Sequence, residues 1–195
     1  MFAPRLPLIE DGRLARIFFH IAGDGYAGKF GGSHPHYFNT NRAVVNEFVN
    51  DLSTFGIVNV RFQENRARVT FPKVIVHVLK HLYKTSFLSR EIRIPQELSS
   101  VRRQVIAQGI KALADDEASV CRNRIRIHSS NKRFLEDIFD LMTQKFPSLA
   151  EYVSINSTRN NEHYLTIRKN GMKLSSEIIG FTHTQKKKRL DSLVR

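Results

Sequence analysis

Two carboxylates stand out for the setting in which they occur. Asp24 lies between Gly23 and Gly25 at the end of an apolar stretch, RLARIFFHIAGDG over residues 13–25, and Glu117 closes a second one, VRRQVIAQGIKALADDEA over residues 101–118. Apolar residues recur at helical spacing in both, so each acid falls at the C-terminal end of a helix. The two acids are separated by close to half the chain, the spacing of a duplicated half. If the helices lie side by side, small residues let their backbones approach: Glu117 shares a helix side with Gly109 and Ala112, and glycines bracket Asp24. Carboxylates held a few ångströms apart repel unless protons or cations neutralise them. Oxygen ligands of this kind suit Mg2+, or Mn2+ in its place. Taken alone, Gly-Asp-Gly reads as a turn aspartate; the duplicated setting favours the chemical reading.

The elements that must position these acids follow in the same order in both parts of the chain. After Asp24, residues 26–30 and 36–39 read as a hairpin, and residues 41–56 as an amphipathic helix with Val44, Val45, Phe48, Val49 and Leu52 on one face. Residues 58–63 and 66–71 alternate about Glu64 and Asn65. Val58, Val60, Phe62, Ala67, Val69 and Phe71 point one way; Asn59, Arg61, Gln63, Arg66, Arg68 and Thr70 point the other. A helix from Lys73 follows Pro72. In the second part the sharpest alternation spans residues 121–128, with Arg122, Arg124, Arg126 and His128 opposite Cys121, Ile125 and Ile127. Residues 129–146 then mirror residues 40–56, Asn131 answering Asn41. A hairpin at 152–156 and 163–168, a last helix at 172–181 and a basic tail, QKKKRL at 185–190, complete the chain. The expected fold class is α/β.

The 195 residues carry 31 Lys plus Arg against 18 Asp plus Glu, a net charge of +13, which favours a polyanionic partner over a merely soluble basic protein. Strands with one apolar and one cationic face make a sheet that packs on helices on one side and stays wet on the other. Such strands can lie in a DNA major groove and set Arg, Asn and Gln against base edges. The candidates for that contact are Lys29, Asn59, Arg61, Gln63, Arg66, Arg68, Arg122, Arg124, Arg126, His128, Arg159 and Arg168. A single cysteine, Cys121, excludes an internal disulfide, and no Cys/His spacing matches a zinc finger. His77 and His81, four apart on a helix but without the glutamate of a His-Glu-x-x-His site, read as helix surface. Neither a signal sequence nor an apolar run of about 20 residues is present, so an intracellular chain without a membrane span is expected. The N-terminal cysteine and C-terminal His-Asn pair of an intact intein are missing as well.

IFFHIAGDG at 17–25 and IKALADDEA at 110–118, with REIRIPQEL at 90–98 ahead of the second, resemble the LAGLIDADG homing endonucleases of the single-chain, two-motif type over nearly the whole chain. The resemblance implies two pseudo-symmetric αββαββα halves, 1–92 and 97–195 with 93–96 as connector. Their motif helices would pack together, and their antiparallel sheets would form a saddle on double-stranded DNA. It implies a site-specific, intron-homing DNA endonuclease acting as a monomer, with intron RNA as a further partner. Asp24 and Glu117 are then the catalytic, metal-binding acids, and the metal candidates extend to the preceding residues, Gly23 and Asp116. The side chains of Asp115 and Asp116 read as surface or helix-end neighbours that shape the local field. Lys73 and Lys169, each just after the last strand of a half, stand for the basic residues such nucleases keep near the scissile phosphate. Residues 186–189, KKKR, read as a solvated helix end or a phosphate contact. Two positions depart from the family pattern. Phe19 stands where a glycine or alanine usually lies at the helix crossing, which demands wider spacing or a compensating partner, and Ala118 replaces a glycine. Both support the alternative of an inactive member of the fold, a DNA-binding regulator or an RNA-splicing maturase. Retention of both acids opposes it, since a pure binder gains nothing from negative charges facing phosphates.

Overall fold

Helix α1, Gly12–Ala22, begins where the Asp11 side chain accepts from the Arg13 N–H at 2.9 Å and stops where Gly23 N–H returns to the Phe19 carbonyl. Leu14, Ala15, Ile17, Phe18, Phe19, His20 and Ile21 are all buried, so this helix is enclosed on most of its circumference rather than on one stripe. The chain then forms β1 (Gly25–Tyr26), β2 (His36–Asn39), α2 (Arg42–Ser53), β3 (Asn59–Gln63), β4 (Arg66–Thr70) and α3 (Lys73–Tyr83). An irregular stretch with a 3-10 turn at Gln96–Ser99 leads to α4 (Arg103–Glu117), β5 (Ala118–Cys121), β6 (Arg124–Ser129), α5 (Lys132–Lys145), the short α6 (Pro147–Ala150), β7 (Val153–Ser157), β8 (His163–Arg168), α7 (Lys169–Ile178) and α8 (Thr184–Val194). This computed structural model describes residues 11–28, 33–63, 65–158, 160 and 162–195. Lys29 and Arg159 lie outside the described residues, and Gln63 is described for its backbone alone.

The two antiparallel sheets have the same order, β1-β2-β4-β3 and β5-β6-β8-β7. The αββαββα pattern therefore occurs twice, and the α/β class is as expected. Asn41 and Asn131 cap the corresponding helices α2 and α5 with their side-chain oxygens, which accounts for their matched spacing. The connecting stretch is strapped to the second half: Asn131 Nδ2 donates to the carbonyls of Ser89 and Ile92, and Arg93 forms a two-pronged bond with Asp137 at 2.6 and 2.7 Å. Among the described residues no helix is long and apolar enough to cross a membrane.

One expected pattern is corrected. The alternation over 121–128 is a hairpin, not a run with one phase: Arg122 and Asn123 form the turn between β5 and β6. Cys121 pairs directly with Arg124 and so shares the face of Arg124 and Arg126, while Val120, Ile125 and Ile127 make the apolar face. A two-residue turn reverses the chain, so a period of two read straight through it assigns the residue before the turn to the wrong side. The basic run at 185–190 lies within helix α8.

At the centre α1 packs along α4. A Cβ at Gly109 would sit 2.5 Å from two carbons of the Phe19 ring, so the bulky residue at the crossing is accommodated by the missing side chain opposite. Phe19 is fully buried and meets Phe18 edge-on at 5.3 Å. Arg16 ties α1 to α2 through a bidentate bond to Asp51 at 2.6 Å and to α4 through Gln108. Lys111 of α4 bonds Glu47 of α2 at 2.9 Å.

Candidate active site

The parallel packing of α1 on α4 brings their C-terminal ends together. A Cβ at Gly23 would approach Asp116 Cβ and Oδ2 to 3.1 Å, a tight fit that explains the glycine before Asp24. Asp24 follows directly, and Glu117 is the last residue of α4. Glu117 lines a cleft of about 360 Å3 together with Ala22, Gly23, His128, Ser129 and Glu162. The acids feel each other: withdrawal from solvent, then repulsion by Asp24 and Asp116, pushes Glu117 up to about 7. Asp24 is pushed up to about 6, by the same withdrawal and by Asp116, with Lys186 and His20 opposing. The two acids of the sequence argument thus share one electrostatic site.

Asp116 is neither a surface residue nor a bystander. Its side chain is buried, accepting from Tyr37 Oη at 2.5 Å and Asn39 Nδ2 at 3.0 Å on one oxygen, with His20 Nδ1 2.9 Å from the other. These partners come from α1 and β2, so the second motif sends a carboxylate into the core of the first half. His20 is fully buried; burial opposes its charge, but Asp116 outweighs it and the imidazole titrates above its ordinary value. Asp115 is also buried and accepts the N–H groups of Thr182 and His183 at 2.8 to 3.1 Å, while burial pushes it up to about 6 against those bonds.

Those bonds anchor the start of α8 and deliver Lys186 to the carbonyl end of α4. Its ammonium donates to the backbone oxygens of Ala114, Asp115 and Asp116 at 3.0, 2.6 and 3.1 Å. Burial lowers its pKa, opposed by Asp116, Asp115, Asp24 and Glu117. Lys186 is therefore a cap on the carbonyl end of α4 that feels the neighbouring acids, whereas Lys187, Lys188 and Arg189 are exposed. Nothing in the run KKKR distinguishes its first member. For His20 and Asp116 a signal existed, since each is a polar residue within an otherwise buried motif.

Lys73 and Lys169 are the first residues of α3 and α7. Lys169 follows Arg168, which pairs with Arg124 beside the hairpin tip, whereas Ala118 pairs with Ile127 near the acids. Those levels are roughly 10 Å apart along the strands, so Lys169 is displaced from Glu117 toward the outer end of the sheet. It lines a groove there with Asn123, Arg124, Thr166 and Arg168.

The polar strand faces are cationic in both halves. In the first, Asn59 pairs with Thr70 and Arg61 with Arg68, so these residues share a face, and the backbone of Gln63 pairs with Arg66. Arg66 and Arg68 stack on the Phe38 ring, their guanidinium carbons 4.7 and 5.6 Å from its centroid. In the second, Arg124 pairs with Arg168 and Arg126 with Thr166, and Arg126 lies 5.1 Å from the Tyr164 centroid. His128 pairs with Tyr164 and sits 3.1 Å from Ser119 Oγ. Arg122 is exposed in the turn. The Nε atoms of Arg68 and Arg124 are buried and have no hydrogen-bond partner.

No protein-family model matches the sequence, and no curated protein matches it. Solved structures do match. The homing endonuclease I-WcaI bound to its DNA recognition sequence is 15% identical, with 89% of this chain and 83% of that one covered at a TM-score of 0.66. I-DmoI in complex with DNA and Mn is 18% identical, with 87% and 96% covered at 0.57. Full-length DUF199/WhiA from Thermatoga maritima is 12% identical, with 97% and 62% covered at 0.61. With two motif helices packed at the centre and the same strand order on either side, this chain has the LAGLIDADG fold in its single-chain, two-motif form.

Proposed function

We propose that this protein is a site-specific, divalent-metal-dependent endonuclease of double-stranded DNA, of the homing type. The observation that supports the reading is the electrostatic influence of Asp24 on Glu117 at the packed ends of α1 and α4, in a chain whose two sheets each carry a cationic face. The fold alone does not decide it, since the same architecture serves I-WcaI and WhiA.

The donor set fits Mg2+ or Mn2+. Among the described residues no three His, Cys, Asp or Glu side chains converge on one point. Mg2+ does not need such a cage, because it takes one or two carboxylates and completes its shell with water and phosphate. Asp24 and Glu117 are those carboxylates, and the Gly23 carbonyl is a further candidate. The Asp116 side chain is committed to Tyr37, Asn39 and His20, and its backbone oxygen already accepts from Lys186. When bound, such an ion activates water and stabilises the leaving oxygen. The chain's own residues hold the two acids apart from solvent and close to each other, so that deprotonation and cation binding are coupled. The described arginines, Asn59 and His128 hold the DNA, and Lys73 and Lys169 stand as the basic residues for the scissile phosphate, Lys169 from the outer end of its sheet. One chain supplies both halves, so the reading carries a monomer acting inside the cell, with intron RNA as a further partner.

The test uses plasmid DNA carrying the insertion site of the gene, with Mg2+ or Mn2+. Double-strand cutting is expected from the wild type. Asp24→Asn and Glu117→Gln should each lose it while binding DNA as tightly or more so, because each sheds a negative charge facing phosphate. The second reading, a DNA-binding module without cutting, is favoured by one observation: Lys186 already supplies positive charge to the acids. It replaces the first if the wild type cuts no DNA with either metal and both variants bind as it does.

A further inference from the structure

The carbonyl end of α4 is where a metal ion and this chain's own hydrogen bonding would compete. The last carbonyls of a helix lack intrahelical donors and carry the negative end of its dipole, so they gather cations. Here the oxygens of Ala114, Asp115 and Asp116 all accept from Lys186 Nζ, which commits the three ammonium protons to backbone. The lysine is held by its own scaffold. Asp115 binds the N–H groups of Thr182 and His183, and His183 Nδ1 caps the first turn of α8 at the Lys186 N–H, 3.4 Å away. The carbonyl of Asp116 is the backbone oxygen adjoining Glu117. That oxygen accepts from the ammonium at 3.1 Å, so a cation arriving at the α4 end beside Glu117 meets it already bonded.

We propose that Lys186 is a resident cation beside the acidic site, occupying the α4 carbonyls in place of a second divalent ion. The inference rests on the reading of Asp24 and Glu117 as a divalent-ion site. Its consequence is that the cleft holds one divalent ion rather than two, with the Asp116 carbonyl withheld from metal. A chain-borne ammonium neutralises carboxylates as an ion does, but it cannot dissociate and does not bind water as a Lewis acid. The two motifs are chemically unequal in this respect: the carbonyl end of α4 is capped by Lys186 of α8, and Gly23 at the end of α1 stands where α4 has Asp116.

Bound Mn2+ counted by electron paramagnetic resonance on the intact protein decides the matter. The wild type is expected to bind one ion at the cleft and Lys186→Met a second, while Lys186→Arg stays at one. Lys186→Gln, which keeps an N–H donor for the carbonyls without the charge, serves if the methionine variant does not fold, and it should also gain an ion. Two ions of similar affinity on the wild type overturn the inference whatever the variants do. So does a folded Lys186→Met or Lys186→Gln protein that binds as the wild type does. A wild type that binds no ion removes the divalent site itself and this inference with it, an outcome distinct from the other two.

Discussion

Asp24 and Glu117 owe their chemistry to where the helices end. Both carboxyls titrate well above their ordinary range because the folded chain withdraws them from solvent and sets them against each other and against Asp116. The sign of the consequence follows from linkage. Between the ordinary carboxylate range and about pH 7 the metal-free folded state binds more protons than the unfolded chain, so stability falls as pH rises through that window. Asp115 and His20, both raised as well, act in the same direction. Thermal melts in chelator should therefore show a lower Tm at pH 8 than at pH 5. The doubly neutral Asp24→Asn/Glu117→Gln protein should show a smaller drop, and equal drops in the two proteins would mean that the acids do not interact as described. With Mg2+ or Ca2+ present, the loss at pH 8 should shrink, since the cation favours the charged carboxylates; metal affinity should weaken as pH falls below about 6.

The decisive contact between elements is the crossing of α1 on α4, where Phe19 fills the space left by Gly109. Phe19→Ala should cost about 3 to 5 kcal/mol, the usual range for emptying a buried phenylalanine site. Gly109→Ala drives a methyl into the ring and should cost about 1 to 3 kcal/mol. Combined, the two changes should cost less than their sum by about 1 kcal/mol or more, because the new methyl enters the vacated volume. Urea unfolding of the four proteins measures this, and strict additivity would show that ring and glycine do not face each other. The Asp116 contacts act at the same scale. Tyr37→Phe removes a donor from a buried carboxylate, and a loss of about 1 to 3 kcal/mol is expected in the same unfolding experiment.

Across the whole molecule, two sheets with cationic faces imply binding dominated by phosphate neutralisation. Affinity for duplex DNA should fall with salt along a log-log slope of about −0.9 per phosphate neutralised. Replacing Arg122, Arg124 and Arg126 with alanine should weaken binding and flatten that slope, and unchanged binding in a salt titration would remove the sheets from the interface. Much of this architecture was legible in one dimension. The repeated order of elements, the motif helices, the matched caps Asn41 and Asn131 and the cationic strand faces of Arg61, Arg66 and Arg68 are carried by periodicity and local hydrogen bonding, which act between near neighbours in the chain. The phase of β5 against β6 is hidden in the sequence because alternation continues through a tight turn without marking it. Other features depend on groups far apart in sequence arriving at one point. Gly109 relieves Phe19, Tyr37 and His20 enclose Asp116, and α8 carries Lys186 onto the end of α4. Packing and buried electrostatics select such contacts by distance in space, and no local pattern records them.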